Sequence, residues 1–425
     1  MQSRRVSYFQ YSRLLAMWLI ASSAAFLGSA GFSRAQATVL YSFTDNTDGA
    51  SPAADLVFDT EGNLYGTTTG GTTTSGSATG GVVFQLSPKK VETVLHTFAG
   101  APSDGSNPLA GLIFGTDGAL YGTTQQGGTA GCGIVFQLTP PTPPAPAWGY
   151  KVLHSFQNGN DGCRPQGDLI FDSNGVLYGS TAAGGTNGTV FMLAPPVPPA
   201  TAWAETVLYF FKGGPGDGQN PLGHLTFDTS GALYGTTELG GSSKLGTVFQ
   251  LAPPVPPATN WTETVLYSFA GGNDGAKPQA GLAIDSKGAL YGTTSNGGGS
   301  SNFGTVFQLT PPTPPATTWK ETVLHSFKGP RTDGAYPFAD VILDSKGNLY
   351  GTTSAGGSCL CGDGTVFKLT ATTWKETVLH NFIGSPTDGN QPLAGLIFNS
   401  KGTLLYGTTY QGGKSHWGTV FEQTP

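Results

Sequence analysis

The stretch GLAIDSKGALYGTT, residues 281–294, decides the fold. Ala283, Ile284, Leu290 and Tyr291 flank a polar turn, Asp285-Ser286-Lys287-Gly288, in which the Asp can bond its own backbone and the Gly can take positive φ. Two short β-forming runs joined in this way read as a tight hairpin with a bulge. The hairpin is not unique. Its Leu-Tyr-Gly block returns with tyrosines at Tyr65, Tyr121, Tyr178, Tyr234, Tyr291, Tyr350 and Tyr406, at spacings of 56, 57, 56, 57, 59 and 56 residues.

A fixed period of this length marks a repeat architecture before any local assignment is made. Working outward from 281–294, each unit carries four β-like blocks, here 281–285, 290–294, 304–309 and 321–327. A Gly-rich loop separates the second block from the third. A Pro-rich stretch ending in a Trp separates the third from the fourth, at 140–146, 195–199, 253–257 and 311–315, followed by Trp148, Trp203, Trp261 and Trp319. These stretches favour polyproline II and read as stiff spacers anchored by the indole. Four antiparallel strands per unit, seven times over and without a helical segment, predict an all-β, seven-bladed β-propeller. An open solenoid is disfavoured because its coils are shorter and its strands parallel, whereas these blocks are joined by hairpin-sized turns.

The phase of the repeat predicts how the ring closes. The first unit begins with a fourth-type strand, 38–43, and the last ends on a third-type strand, 418–422. Pairing the two, with Val39 to Phe43 against Thr419 to Phe421, completes the last blade and removes the open sheet edge.

Composition agrees with this reading. The 425 residues include 65 Gly and 30 Pro but only 11% charged residues, a mix poor in helix formers and rich in turns. Residues 1–37 read as a secretory signal peptide, with Arg4, Arg5 and Arg13 before an apolar stretch and Ala35-Gln36-Ala37 as the cleavage site, leaving a propeller over 38–425. The segment takes four of the 20 basic residues and none of the 26 acids, so the mature chain has 16 basic residues and a net charge of −10. That charge excludes nucleic acid as an expected partner. No second apolar run of spanning length follows, so membrane insertion of the mature chain is not expected. A secreted or periplasmic, extracytoplasmic location is.

The motifs Pro-x-Ala-Gly-Leu-Ile-x-Asp-Ser-Lys-Gly-x-Leu-Tyr-Gly-Thr-Thr, Gly-Thr-Val-Phe-x-Leu and Glu-Thr-Val-Leu-x-Ser-Phe resemble the GloVer tandem repeat of secreted bacterial "choice-of-anchor" proteins over all seven units. The resemblance implies a secreted or surface repeat protein and supplies no catalytic residues. The first two blocks also look like NHL-type propeller repeats, which implies that 281–285 is innermost.

Residues common to all copies are expected to build the ring, and function to lie where copies differ. The Asp of each Asp-Gly pair (Asp48, Asp104, Asp161, Asp217, Asp274, Asp333 and Asp388) offers an acidic ring for Ca2+, but an Asx-type turn is the plainer reading. The Gly of Leu-Tyr-Gly is expected to let neighbouring blades approach. The residue at the head of the innermost strand varies: Asp55, Gly111, Asp168, His224, Gly281, Asp340 and Gly395. Asp55, Asp168, His224 and Asp340 would converge on the axis, a donor set suited to a divalent cation such as Ca2+ or to acid–base work; hydration of a water-filled channel competes with that reading.

His96, His154, His325 and His380 alternate with Tyr41, Tyr209 and Tyr267, so the position is expected to require no more than an amphipathic ring. Tyr410, Lys414, His416 and Trp417 make the last Gly-rich loop a candidate ligand-binding loop. Cys132 and Cys163 lie in loops on one face and are expected to form a disulfide, whereas Cys359 and Cys361 are too close for an unstrained one. His-Glu-x-x-His, Gly-x-Ser-x-Gly and Cys-x-x-Cys are all missing. The expected function is a non-enzymatic binding or scaffold module for a glycan, protein or cell-envelope ligand, met on the face of the Gly-rich and Asp-Gly loops. The alternative is a metal-assisted hydrolase, lactonase or lyase at the channel mouth.

Overall fold

The computed structural model describes residues 37–142, 147–331, 333–358 and 362–425. The signal segment up to residue 36, part of the first Pro-rich loop, and Cys359 and Cys361 lie outside them. Within the described residues the chain folds into seven antiparallel propeller blades of four strands each, the third extended by a further strand at Cys163–Pro165, with five small two-stranded ladders in the connecting loops and one short 3-10 turn at Gly159–Asp161. No helix among them is long and apolar enough to cross a membrane.

In blade 5 the strands run Ala283–Ile284, Leu290–Thr294, Thr305–Thr310 and Lys320–Ser326, from the axis outward. The innermost strand is shorter than its sequence suggests. Only Ala283 and Ile284 join the ladder, because Gly281 leaves it to line the axis and Leu282 turns into the core. The second strand is buried at all five positions, as a central strand covered on both faces must be.

The Gly within that strand serves its own blade. Gly292 stands opposite Phe307, and a Cβ on it would lie 2.7 Å from the Phe307 ring and 2.9 Å from Leu282. The expectation that this glycine admits the neighbouring blade is therefore corrected: the bare backbone makes room for an aromatic ring laid across it from the adjacent strand.

Blades are joined by another aromatic device. The Phe that ends each outer strand meets the third-strand Phe of the next blade edge to face, as in Phe269–Phe307 at 5.1 Å and Phe98–Phe136 at 5.2 Å. Seven such pairs run round the ring, each ring nearly or fully buried. Edge-to-face rings at this separation contribute about 0.5–1.5 kcal/mol beyond their buried area. Second-strand threonines add hydrogen bonds across the same junctions, Thr293 Oγ1 to the Ala339 carbonyl at 2.8 Å and Thr236 Oγ1 to Ala280 at 2.6 Å.

Blade 7 is assembled from both ends of the chain. Thr38–Ser42 pairs antiparallel with Thr419–Gln423, with Val39 opposite Phe421 and Ser42 opposite Thr419. The register slips between Val39 and Tyr41, the same bulge that every other outer strand carries. Phe43 then meets Phe84 of blade 1 at 5.1 Å, and Thr408 Oγ1 reaches the Ala54 carbonyl. The closing junction thus repeats the contacts of the other junctions, as the phase of the repeat predicts.

Candidate functional site

The innermost segments deliver their leading residues to one axial cavity of about 90 Å3. Asp55, Asp168, His224 and Asp340 all line it, so the structure brings together the four residues singled out from the sequence. The intervening glycines make the space. A Cβ on Gly111 would lie 2.7 Å from an Asp168 oxygen, one on Gly281 would fall within 2.5 Å of the His224 ring, and one on Gly395 would meet both Asp340 and Asp55. Asp168 and Asp55 lean over these positions and accept the amides of Gly111 at 2.5 Å and Gly395 at 2.6 Å. His224 Nε2 stands 3.9 Å from Asp340 Oδ2.

Burial dominates the electrostatics there, and crowding of like charges adds to it at Asp55 and Asp340. Burial, then the neighbouring charges of Asp340 and Asp168, drives Asp55 well above the usual carboxylate range against the opposing Gly395 amide and His224. Burial and the charge of Asp168 push Asp340 up to about 7, and burial raises Asp168. All three carboxylates are thus shifted toward their protonated forms, around a space that admits only a few waters or one small ion.

A second set of titratable groups lies farther out, between the outer strands of adjacent blades. The Asp of every Asp-Gly pair accepts a hydrogen bond from the variable Tyr or His of the preceding outer strand: Tyr209 Oη to Asp217 at 2.8 Å, His325 Nε2 with Asp333 at 2.9 Å, His380 Nε2 with Asp388 at 2.9 Å. It also takes local amides, Lys212 and Gly218 in the case of Asp217. Tyr and His alternate at this position because both present a donor at the same reach, which is more than the amphipathic ring the sequence suggests. The carboxylates are turned inward as ties.

Onto several ties packs a half-buried Glu from the next blade. Burial, then the nearby Asp, pushes Glu92, Glu205, Glu263 and Glu321 up to about 7. Where blades 5 and 6 meet, His325, Asp333 and Glu376 bring three potential ligand atoms within 4.8 Å of one another. This trio escaped sequence reasoning because its members come from two units; the outer-strand Glu, recurring next to a Thr-Val-Leu run, was the available signal.

The last Gly-rich loop is exposed, with Trp417 42% accessible. Its backbone is tied across the closing junction, since the Trp417 carbonyl accepts the Ser51 amide at 2.8 Å. Tyr410, Lys414 and His416 share this loop without forming a pocket around Trp417 among the described grooves. Cys132 and Cys163 form the expected disulfide, joining the Gly-rich loop of blade 2 to the segment entering blade 3 with their Cα atoms 4.6 Å apart.

The larger concavities are grooves between blades. One of about 550 Å3, between blades 2 and 3, is lined by Tyr121, Trp203, Phe114 and Phe171 together with Asp117 and Gln137. Another of about 520 Å3, between blades 6 and 7, contains Tyr350 and Lys368, whose ammonium sits 4.9 Å from the Tyr350 ring centre. A third, about 530 Å3, flanks Asp217 and Glu263 on the Asp-Gly side. Of these three, only the last adjoins the loops expected to carry the ligand.

Comparison with known proteins follows this architecture. The ring resembles the structure of PorZ from Porphyromonas gingivalis, described as an essential bacterial surface component of the type-IX secretion system, at 14% identity and a TM-score of 0.50. That match covers 87% of this chain and 46% of PorZ, so the chain spans less than half of that protein. A putative 6-phosphogluconolactonase from Bacteroides uniformis aligns at 14% identity over 83% of this chain and 88% of its own, TM-score 0.46. A gluconolactonase from Xanthomonas campestris aligns at 10% identity over 93% of each chain, TM-score 0.42. At these identities the likeness is one of fold. Curated protein sequences yield no match. The Gloeobacter/Verrucomicrobia repeat matches residues 30–202, 117–359 and 186–421, overlapping segments that between them take in all seven blades. The chain belongs to the Gloeobacter/Verrucomicrobia repeat family.

Proposed function

We propose that this protein is an extracytoplasmic binding or scaffold propeller whose ligand is held in the grooves between blades. One observation carries the reading. The axial cavity, where the perturbed carboxylates gather, offers about 90 Å3, below the roughly 300–1,000 Å3 that small-molecule sites occupy, whereas the grooves between blades reach 520–550 Å3. The disulfide and the apolar, Arg-led amino segment support a location outside the cytoplasm. The test is equilibrium binding of purified protein to fractionated cell envelopes, alongside turnover assays on lactones, esters and glycosides with Ca2+, Mg2+ or Zn2+ supplied. Saturable, metal-independent binding without turnover is expected.

The axial group favours a second reading, a metal-assisted hydrolase, lactonase or lyase. Three carboxylates and an imidazole from blades 1, 3, 4 and 6 form a donor set suited to a divalent cation. That reading requires stoichiometric metal in the purified protein and turnover that Asp168→Asn or His224→Ala abolishes. Either finding would displace the binding reading.

A further inference from the structure

Five of the seven blade junctions carry the same aromatic wall. The Trp that precedes an outer strand stands over the Leu-Tyr-Gly tyrosine of the preceding blade: Trp148 on Tyr65, Trp203 on Tyr121, Trp261 on Tyr178, Trp319 on Tyr234 and Trp374 on Tyr291. Their ring centres are 6.0–6.3 Å apart and their planes 52–63° from one another. The indoles are half-buried, so each keeps part of its surface open.

Polar side chains lie beside this wall. In the groove between blades 2 and 3, Tyr121 Oη donates to Asp117 Oδ2 at 3.0 Å, and Gln137 Nε2 reaches both Tyr121 Oη at 2.7 Å and Asp117 Oδ2 at 3.3 Å. The Gln–Tyr bond recurs from Gln85, Gln250 and Gln308 to Tyr65, Tyr234 and Tyr291. In the groove between blades 2 and 3, Asp117 accepts three hydrogen bonds, from the Ala119 amide, Tyr121 and Gln137, one fewer than its two oxygens can take, at the edge of an aromatic surface.

We propose that the tryptophan-walled junctions are a circular array of subsites for neutral polysaccharide. The claim rests on the binding reading above and names its ligand class. A pyranose presents a face of C–H groups and a rim of hydroxyls that both donate and accept. A Trp–Tyr wall offers flat apolar area at low entropic cost, and the Asp–Gln–Tyr rim offers acceptors for the hydroxyls. The groove volume of about 550 Å3 admits one or two such rings. Charge selects the class: the net charge of −10 on residues 38–425, with Asp117 and Asp172 both lining the groove, opposes polyanions.

The junction between blades 6 and 7 supplies the contrast. No described Trp stands over Tyr350, and Lys368 takes the place of the Gln and sits against the ring, so this groove is excluded from the array. Sites of one kind repeated round a ring favour polymers over free sugars, because linkage turns each later contact into an intramolecular one.

The experiment measures depletion of purified protein by microcrystalline cellulose, chitin and curdlan, with alginate as the anionic comparison, and titrates tryptophan emission with soluble β-1,4 and β-1,3 gluco-oligosaccharides. Depletion by at least one neutral polymer with an emission shift is expected, and none by alginate. Combining Trp203→Ala, Trp261→Ala and Trp319→Ala is expected to weaken polymer binding by about tenfold or more, and Trp203→Ala alone by only a few-fold. Because the indoles also pack against the blades, a second variant with Gln137→Ala, Gln250→Ala and Gln308→Ala leaves the wall standing and is expected to lose binding about fivefold at unchanged melting temperature. Retained binding in both triple variants, or binding to alginate alone, overturns the proposal. Envelope binding without any of these polymers sinks the glycan assignment and spares the parent reading; no envelope binding sinks both.

Discussion

Gly292 shows how a single residue is chosen here by what lies across from it. Its φ is ordinary, so conformational freedom is not the reason; the Phe307 ring occupies the space a methyl group would take. Gly292→Ala should therefore cost about 1–3 kcal/mol by overpacking, and adding Phe307→Leu should recover part of it. Urea titration of the two variants checks this: equal losses in both would mean that the ring is not the obstacle. At the same scale, Tyr and His are interchangeable donors to the junction Asp. Against the upward push of burial, the hydrogen bonds from His96 and Tyr150 hold Asp104 below the usual range, and His325 does most of the same for Asp333.

At the scale of the element, Thr38–Ser42 tests whether the ring is as tight at its seam as elsewhere. The Phe43–Phe84 pair copies Phe269–Phe307 in separation and edge-to-face arrangement. Phe43→Ala and Phe269→Ala should consequently destabilise to a similar degree, each by about 3–5 kcal/mol. Loss below about 1 kcal/mol for Phe43→Ala beside a full loss for Phe269→Ala would show a seam that opens in solution. The seam was legible because the first block is a fourth-type strand and the last a third-type one, and strand type follows from local pattern. The two-residue innermost strands were not legible, since Gly281 and Leu282 look like ladder residues until the axis claims one and the core the other.

Over the whole molecule, the buried acids set the pH at which the ring is firmest. Glu92, Glu205, Glu263 and Glu321, raised from 4.5 to about 7, and Asp340, also about 7, bind more protons folded than unfolded across that interval. Their contribution is greatest at the acid end and falls as pH rises through 7. Asp104, Asp333, Asp59, Asp228 and Asp344 are lowered instead, and their contribution disappears when pH falls through their folded values. The melting temperature should thus peak near about pH 5 and decline toward pH 8. A rise from pH 5 to 8 would contradict the assignment of protons to these glutamates.

The candidate sites were legible to different depths for the same physical reason. Axial convergence of Asp55, Asp168, His224 and Asp340 follows from one position in one strand, which a repeat exposes by simple alignment of its copies. The Tyr121–Trp203 wall and the His325–Asp333–Glu376 trio join positions in different units, and nothing within a single unit announces which faces its neighbour.

The seam has a consequence for biogenesis. A chain synthesised amino end first must carry Thr38–Ser42 without its mate until Thr419–Gln423 arrives. Six finished blades then wait as an arc with a raw border at each end, and whatever captured either border would hold the molecule unclosed.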